Sequence, residues 1–163
     1  MPKLIIIRGN SGSGKTSAAK ELQKKFGRHT MRISHDMIRM EMLWAKDEEA
    51  LPLITALLRY GCENSEVTVL EGILDSKMFR PLFEIALSLY GENIFAYYYD
   101  LPFEETLARH NTKPNKASFG EEDMHRWWNE KDFMGIIPEK IFTEKIILSE
   151  AVEMIFRDVS ENK

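Results

Sequence analysis

The stretch Leu4-Ile5-Ile6-Ile7-Arg8-Gly9-Asn10-Ser11-Gly12-Ser13-Gly14-Lys15-Thr16 decides the fold. Its first half is a short apolar run rich in β-branched residues, which predicts a buried strand over 3–8. Its second half satisfies G-x-x-x-x-G-K-[ST] with Gly9, Gly14, Lys15 and Thr16. Residues 15–26 then carry Ala18, Ala19, Leu22 and Phe26 at near-helical spacing, and Gly27 is placed to end that helix. Strand, loop and helix in that order are the context in which the pattern holds a polyphosphate. Phosphate oxygens must approach successive backbone N–H groups, and a side chain at Gly12 or Gly14 would obstruct them. The helix turns its free N–H groups and positive dipole end to the same anion. Lys15 is placed to reach the β- and γ-phosphates, and the Thr16 hydroxyl to ligate Mg²⁺. The nucleotide-binding residues expected are Gly9, Asn10, Ser11, Gly12, Ser13, Gly14, Lys15, Thr16 and Ser17.

Working outward, strands are expected over 29–34, 66–70, 94–99 and 145–148, and helices over 36–45, 48–59, 77–90, 102–109 and 121–131 and from 150 onward. Pro52 is placed in the first turn of its helix, where a missing N–H costs nothing. Met37, Met40 and Trp44 share one helix face, a stripe that suits core packing or one wall of a pocket. Strands alternating with helices predict an α/β fold, a parallel sheet covered on both faces.

The chain has 163 residues and reads as one domain, 1–163, with no linker or low-complexity stretch; Gly and Pro together number 15. Its net charge of −4 argues against extended duplex nucleic acid and anionic membrane surfaces as partners. The lone Cys62 excludes an internal disulfide, and the N-terminal apolar run of four is short of a signal peptide, so a cytoplasmic location is expected. His29, His35, His110 and His125 show no spacing that suggests a metal site or a triad.

Phosphate loops serve many activities, and the rest of the sequence narrows them. A guanine-reading N-K-x-D is missing; the nearest string, Asn115-Lys116-Ala117-Ser118, lacks the aspartate. No D-x-x-G follows the third strand either, which leaves ATP and a small kinase-like fold. Ser34-His35-Asp36-Met37-Ile38-Arg39 follows the second strand, at the sheet edge where an acceptor would sit. Asp36 either takes the proton of an attacking hydroxyl or caps a helix, and Arg39, three residues on, either holds a polar or anionic part of the acceptor or pairs with Asp36 on the surface. Glu71, at the end of Val69-Leu70-Glu71-Gly72-Ile73-Leu74, is a candidate for Mg²⁺ or acceptor contact, and Asp100 is read as the cap of the next helix. Residues 110–132 form a polar segment suited to a lid, and Arg109, Lys113, Lys116, Arg126 and Lys131 run through and beside it. Of Trp127 and Trp128, adjacent and about 100° apart on a helix, at most one faces a ligand.

GNSGSGKT, SHDMIR and YDLPFEETLARHN together resemble the P-loop kinase domain of 5′-polynucleotide kinases and, more loosely, chloramphenicol phosphotransferases and zeta-toxin kinases. That resemblance implies a five-stranded parallel sheet of order 2-3-1-4-5, Asp36 as general base and Arg39 as an acceptor contact. It also implies a lid arginine a few residues past Arg109, where this chain has Lys113-Pro114. The VLEGIL segment is similar to that of uridine-kinase-type enzymes, which favours a Mg²⁺ contact for Glu71. The expected activity is transfer of the γ-phosphoryl group of Mg-ATP to a hydroxyl of a small-molecule or nucleic-acid-derived acceptor. Lys15, Asp36, Arg109 and Arg126 are the expected catalytic residues; Asp36, Arg39, Trp44 and Glu71 are expected at the acceptor, and Thr16 and Glu71 at Mg²⁺. A nucleoside kinase and an ATP-binding switch without an acceptor are the alternatives.

Overall fold

Leu4, Ile5, Ile6 and Ile7 are all fully buried, as a strand covered on both faces requires. A computed structural model of the chain describes residues 1–114 and 119–162. The run forms β1 (Lys3–Gly9), the centre of a five-stranded parallel sheet of order β2-β3-β1-β4-β5. The other strands are β2 (Thr30–Ser34), β3 (Val67–Gly72), β4 (Ile94–Tyr99) and β5 (Glu139–Phe142).

Strand pleating sends alternate residues to opposite cores. Leu4 and Ile6 join the core beneath α3 (Asp47–Asn64) and α4 (Arg80–Tyr90). Ile5 and Ile7 join the core beneath α1 (Lys15–Phe26) and α7 (Leu148–Glu161). Three shorter helices complete the chain: α2 (His35–Met37), which continues as a π-helical turn over Ile38–Met42, α5 (Phe103–Asn111) and α6 (Glu121–Arg126). The first helix runs as its spacing predicts, with Gly27 at its C-cap at φ 87°.

Four expectations need correction. The last strand is Glu139–Phe142 rather than 145–148, because Phe142 stacks on Tyr97 (ring centroids 5.2 Å) and its carbonyl takes the Asp100 N–H. Ile147 and Leu148, 57% and 44% exposed, instead lead into α7. Helix α3 begins at Asp47, where Glu49 Oε2 accepts from the Lys46 N–H, so Pro52 lies in its second turn. The Met37–Met40–Trp44 stripe is no core face: Met37 is half-buried, while Met40 and Trp44 are 46% and 81% exposed. Asp100 caps nothing; Pro102 precedes α5, and the Asp100 carboxylate accepts from Lys131 Nζ at 2.5 Å.

Candidate active site

The loop between β1 and α1 is shaped by glycines, for reasons only partly visible in the sequence. Gly9, Gly12 and Gly14 have φ of 148°, 83° and 97°, in the region that only glycine enters without strain. A Cβ on Gly12 would lie 2.4 Å from the Thr106 carbonyl oxygen, so α5 packs directly on the loop. A Cβ on Gly14 would meet only Arg109 Nη1, at 3.7 Å. The phosphate-access argument for Gly12 is thus joined by a packing one, and at Gly14 the backbone angle is decisive. The Asn10 carbonyl accepts from both Ser13 Oγ (2.6 Å) and Lys15 Nζ (2.8 Å), which folds the loop on itself.

Lys15 is buried, and burial lowers its ammonium pKa to about 8, against the opposing pull of Glu71 and Asp36. Lys113 and Arg8 add to the lowering. Thr16, at the start of α1, donates its hydroxyl to Glu71 Oε1 at 2.9 Å. The sheet register explains that meeting, since Glu71 on β3 lies opposite Ile7, two residues from the loop. A hydroxyl and a carboxylate oxygen side by side at the phosphate loop are hard donors of the kind Mg²⁺ takes alongside substrate phosphates, so this pair fits the ion. Ser17 is exposed in the first turn of α1.

Beyond Thr16 a cleft of about 1000 Å³ opens, whose walls include Ser11, Asp36, Arg39 and Trp127. Asp36 is exposed there, while its neighbour His35 is buried and packs edge-on against Phe79 (4.9 Å). A Cβ on Gly72 would fall 2.4 Å from His35 Cβ, so the glycine at the end of β3 makes room for the imidazole. His35 Nε2 lies 2.8 Å from Asp47 Oδ1, and the hydrogen bond from His35 holds the Asp47 carboxyl below the usual range. Arg39 Nε is 3.9 Å from the same oxygen, so Arg39 pairs with the start of α3.

The remaining candidates separate. Arg109 is tied to the loop, with Nη1 donating to Ser13 O (2.8 Å) and Nε to Glu105 Oε1 (2.9 Å). Arg126 borders the cleft but is paired with Asp123. Trp44 is not among the residues lining the cleft, and of the tryptophan pair only Trp127 is. Lys116 lies outside the described residues. Sequence reasoning named Lys113 only as one of the basic residues of the lid segment and Asn10 only as a nucleotide contact, and it assigned nothing to Asn129 or Arg8. Lys113, half-buried, has its pKa lowered by burial while the charges of Glu71 and Asp36 pull it back, so it lies within electrostatic reach of both carboxylates. Asn10 and Asn129 form a reciprocal clamp, Nδ2 to Asn129 O and Asn129 N to Oδ1, both 2.7 Å. Arg8, fully buried, donates to Asp132 Oδ2 and Glu139 Oε1, both 2.8 Å, and to the Leu74 carbonyl. For Asn129 and Arg8 the sequence carried no signal.

No protein-family model and no curated protein sequence matches the chain. Solved structures do match in fold. The APS kinase of Mycobacterium tuberculosis, in complex with AMPPNP and APS, aligns with TM-score 0.70 at 19% identity, covering 99% of this chain and 98% of that one. A gluconokinase from Sinorhizobium meliloti aligns with TM-score 0.64 at 17% identity, covering 98% and 93%. Shikimate kinase from Acinetobacter baumannii, in complex with shikimate, aligns with TM-score 0.58 at 16% identity, covering 99% and 93%. The chain has the fold of the P-loop kinases, strand order included.

Proposed function

We propose that this protein transfers the γ-phosphoryl group of ATP to a hydroxyl of a small acceptor bound in the cleft beside Asp36. One observation carries the reading: Ser11 of the phosphate loop, Thr16, whose hydroxyl donates to Glu71, and the free carboxylate of Asp36 border a single cleft. Structural neighbours that include a gluconokinase, a shikimate kinase and an APS kinase bound to an ATP analogue support it.

The loop amides and Lys15 would hold the β- and γ-phosphates, and Thr16 with Glu71 would hold Mg²⁺. Bound there, the ion neutralises charge on the phosphate oxygens. Asp36 takes the acceptor O–H proton as that oxygen bonds to the γ-phosphorus; the bridge to the β-phosphate breaks and ADP leaves with its electron pair. Lys113 balances the charge passing between the two phosphoryl positions, and Arg109 steadies the loop through the Ser13 carbonyl. Arg39 contacts the acceptor on the far side of Asp36. Positioning and charge neutralisation supply most of the rate in such transfers.

The test is ADP production with a panel of nucleosides, 5′-hydroxyl oligonucleotides, aminosugars, sugar acids and hydroxylated antibiotics. Stimulation by one class, lost by about 100-fold or more in Asp36→Asn while calorimetry still shows AMPPNP binding, supports the assignment. Equal transfer rates in Asp36→Asn refute it. ATP affinity without stimulation by any acceptor would favour a nucleotide-dependent switch instead.

A further inference from the structure

Among the described residues, three side-chain atoms are buried without a hydrogen-bond partner: Arg32 Nε, His35 Nδ1 and Arg39 Nε. All three belong to residues lining the one cleft that holds Asp36. Buried polar atoms are almost always paired, and a guanidinium N–H left unpaired is among the costlier exceptions. Arg39 Nε still has the 3.9 Å ion pair with Asp47 Oδ1, so the unpartnered cation at this cleft is Arg32, whose half-buried guanidinium lines it and marks a place for a ligand.

Arg32 is the clearest of them. It lies on β2, opposite Val69, two residues before the strand ends at Ser34. The core residues Met31 and Ile33 on either side of it face α3 and α4, so pleating sends Arg32 to the other face, toward α1. No described residue offers it a hydrogen bond or an ion pair. Of the carboxylates lining the cleft, Asp47 Oδ1 takes His35 and Arg39, Asp75 Oδ1 accepts the N–H groups of Lys77 and Met78, and Asp36, Glu41 and Glu48 line it without bonding to Arg32. A planar fork of donors with nothing to grip matches an oxyanion better than a neutral hydroxyl.

We infer that Arg32 is an acceptor-specificity residue, and that the acceptor carries an oxyanion, a phosphate, sulfate or carboxylate, which Arg32 binds while Asp36 receives the hydroxyl. This rests on the kinase reading above.

The experiment has two arms on the intact protein, wild type and Arg32→Gln, with Arg32→Lys as the conservative variant. In the first, the phosphate loop is filled with AMPPNP, and sodium phosphate, sulfate and acetate are compared with chloride at equal ionic strength by thermal shift. An anion-dependent rise in wild type that is lost in Arg32→Gln and partly restored in Arg32→Lys supports the inference, and the best anion names the class. Equal shifts in wild type and Arg32→Gln overturn it. In the second, ADP release is measured with matched pairs: gluconate and glucose, glycerol 3-phosphate and glycerol. The kcat/KM ratio of charged to neutral member falls by about 10–100-fold in Arg32→Gln, mainly through KM. An unchanged ratio overturns the inference and leaves the kinase reading standing. Silence of every acceptor together with an Arg32-dependent anion shift sinks the kinase reading but keeps the anion site.

Discussion

Gly12 and Gly27 share a positive φ and differ in what surrounds them, which separates backbone strain from packing. No atom lies within 4 Å of a Cβ built on Gly27, so Gly27→Ala pays strain alone, about 1–3 kcal/mol. Gly12→Ala adds an overlap with the Thr106 carbonyl, about 1–3 kcal/mol more, and displaces the loop proposed to bind phosphate. Urea denaturation should show the larger loss for Gly12→Ala, and calorimetry should show weakened AMPPNP binding for it alone. Lys15 makes a second residue-scale prediction. Its folded pKa of about 8 lies below the ordinary 10.5, so its buried charge destabilises fully below pH 8 and is relieved as pH rises toward 10.5. Lys15→Met should therefore stabilise the free protein by on the order of 3 kcal/mol at pH 7, a gain that shrinks by pH 10, and should lose AMPPNP binding. At this scale the residue types of the loop were legible. The Thr106 carbonyl behind Gly12 was not, because nothing in a sequence marks which carbonyl will approach which Cα.

Among the elements, β5 is instructive. Lys145-Ile146-Ile147-Leu148 is the more apolar segment, yet the strand forms at Glu139–Phe142, whose first residue holds Arg8. Arg8 on β1 also reaches Asp132 and the Leu74 carbonyl, so one cation fastens the end of β3's loop, the segment after α6 and the edge strand. The Glu139 side chain is 2% exposed, and Arg8→Met would strand its charge. We expect a loss of about 3–5 kcal/mol, most of it recovered when Glu139→Gln and Asp132→Asn are added. Chemical denaturation of the single and triple variants checks this. Local apolar content favoured the wrong segment because a buried ion pair between residues 131 apart leaves no local signature.

For the whole molecule, parallel pairing brings the C-terminal ends of β1, β2 and β3 to one edge. Ser34 stands opposite Glu71, and Arg8 opposite Gly72, so the phosphate loop, Glu71 and the Asp36 segment meet there. A ligand held by several elements stabilises them together. AMPPNP with Mg²⁺ at about 100 times its Kd should add about 2.7 kcal/mol, raising Tm by about 5–10 °C. Thr16→Val should cut that rise when Mg²⁺ is present, and little when it is replaced by EDTA; differential scanning calorimetry reads both. The sequence alone determined the first buried strand, the loop, the helix behind it and the alternation that makes the sheet parallel, since each follows from residues close along the chain. Tertiary structure decided which strand closes the edge, that Trp44 stays outside the cleft, that Lys113 comes within electrostatic reach of Glu71 and Asp36, and that Arg32 goes unpaired. Those outcomes depend on burial and charge balance among residues far apart in sequence, which only the closed fold sets.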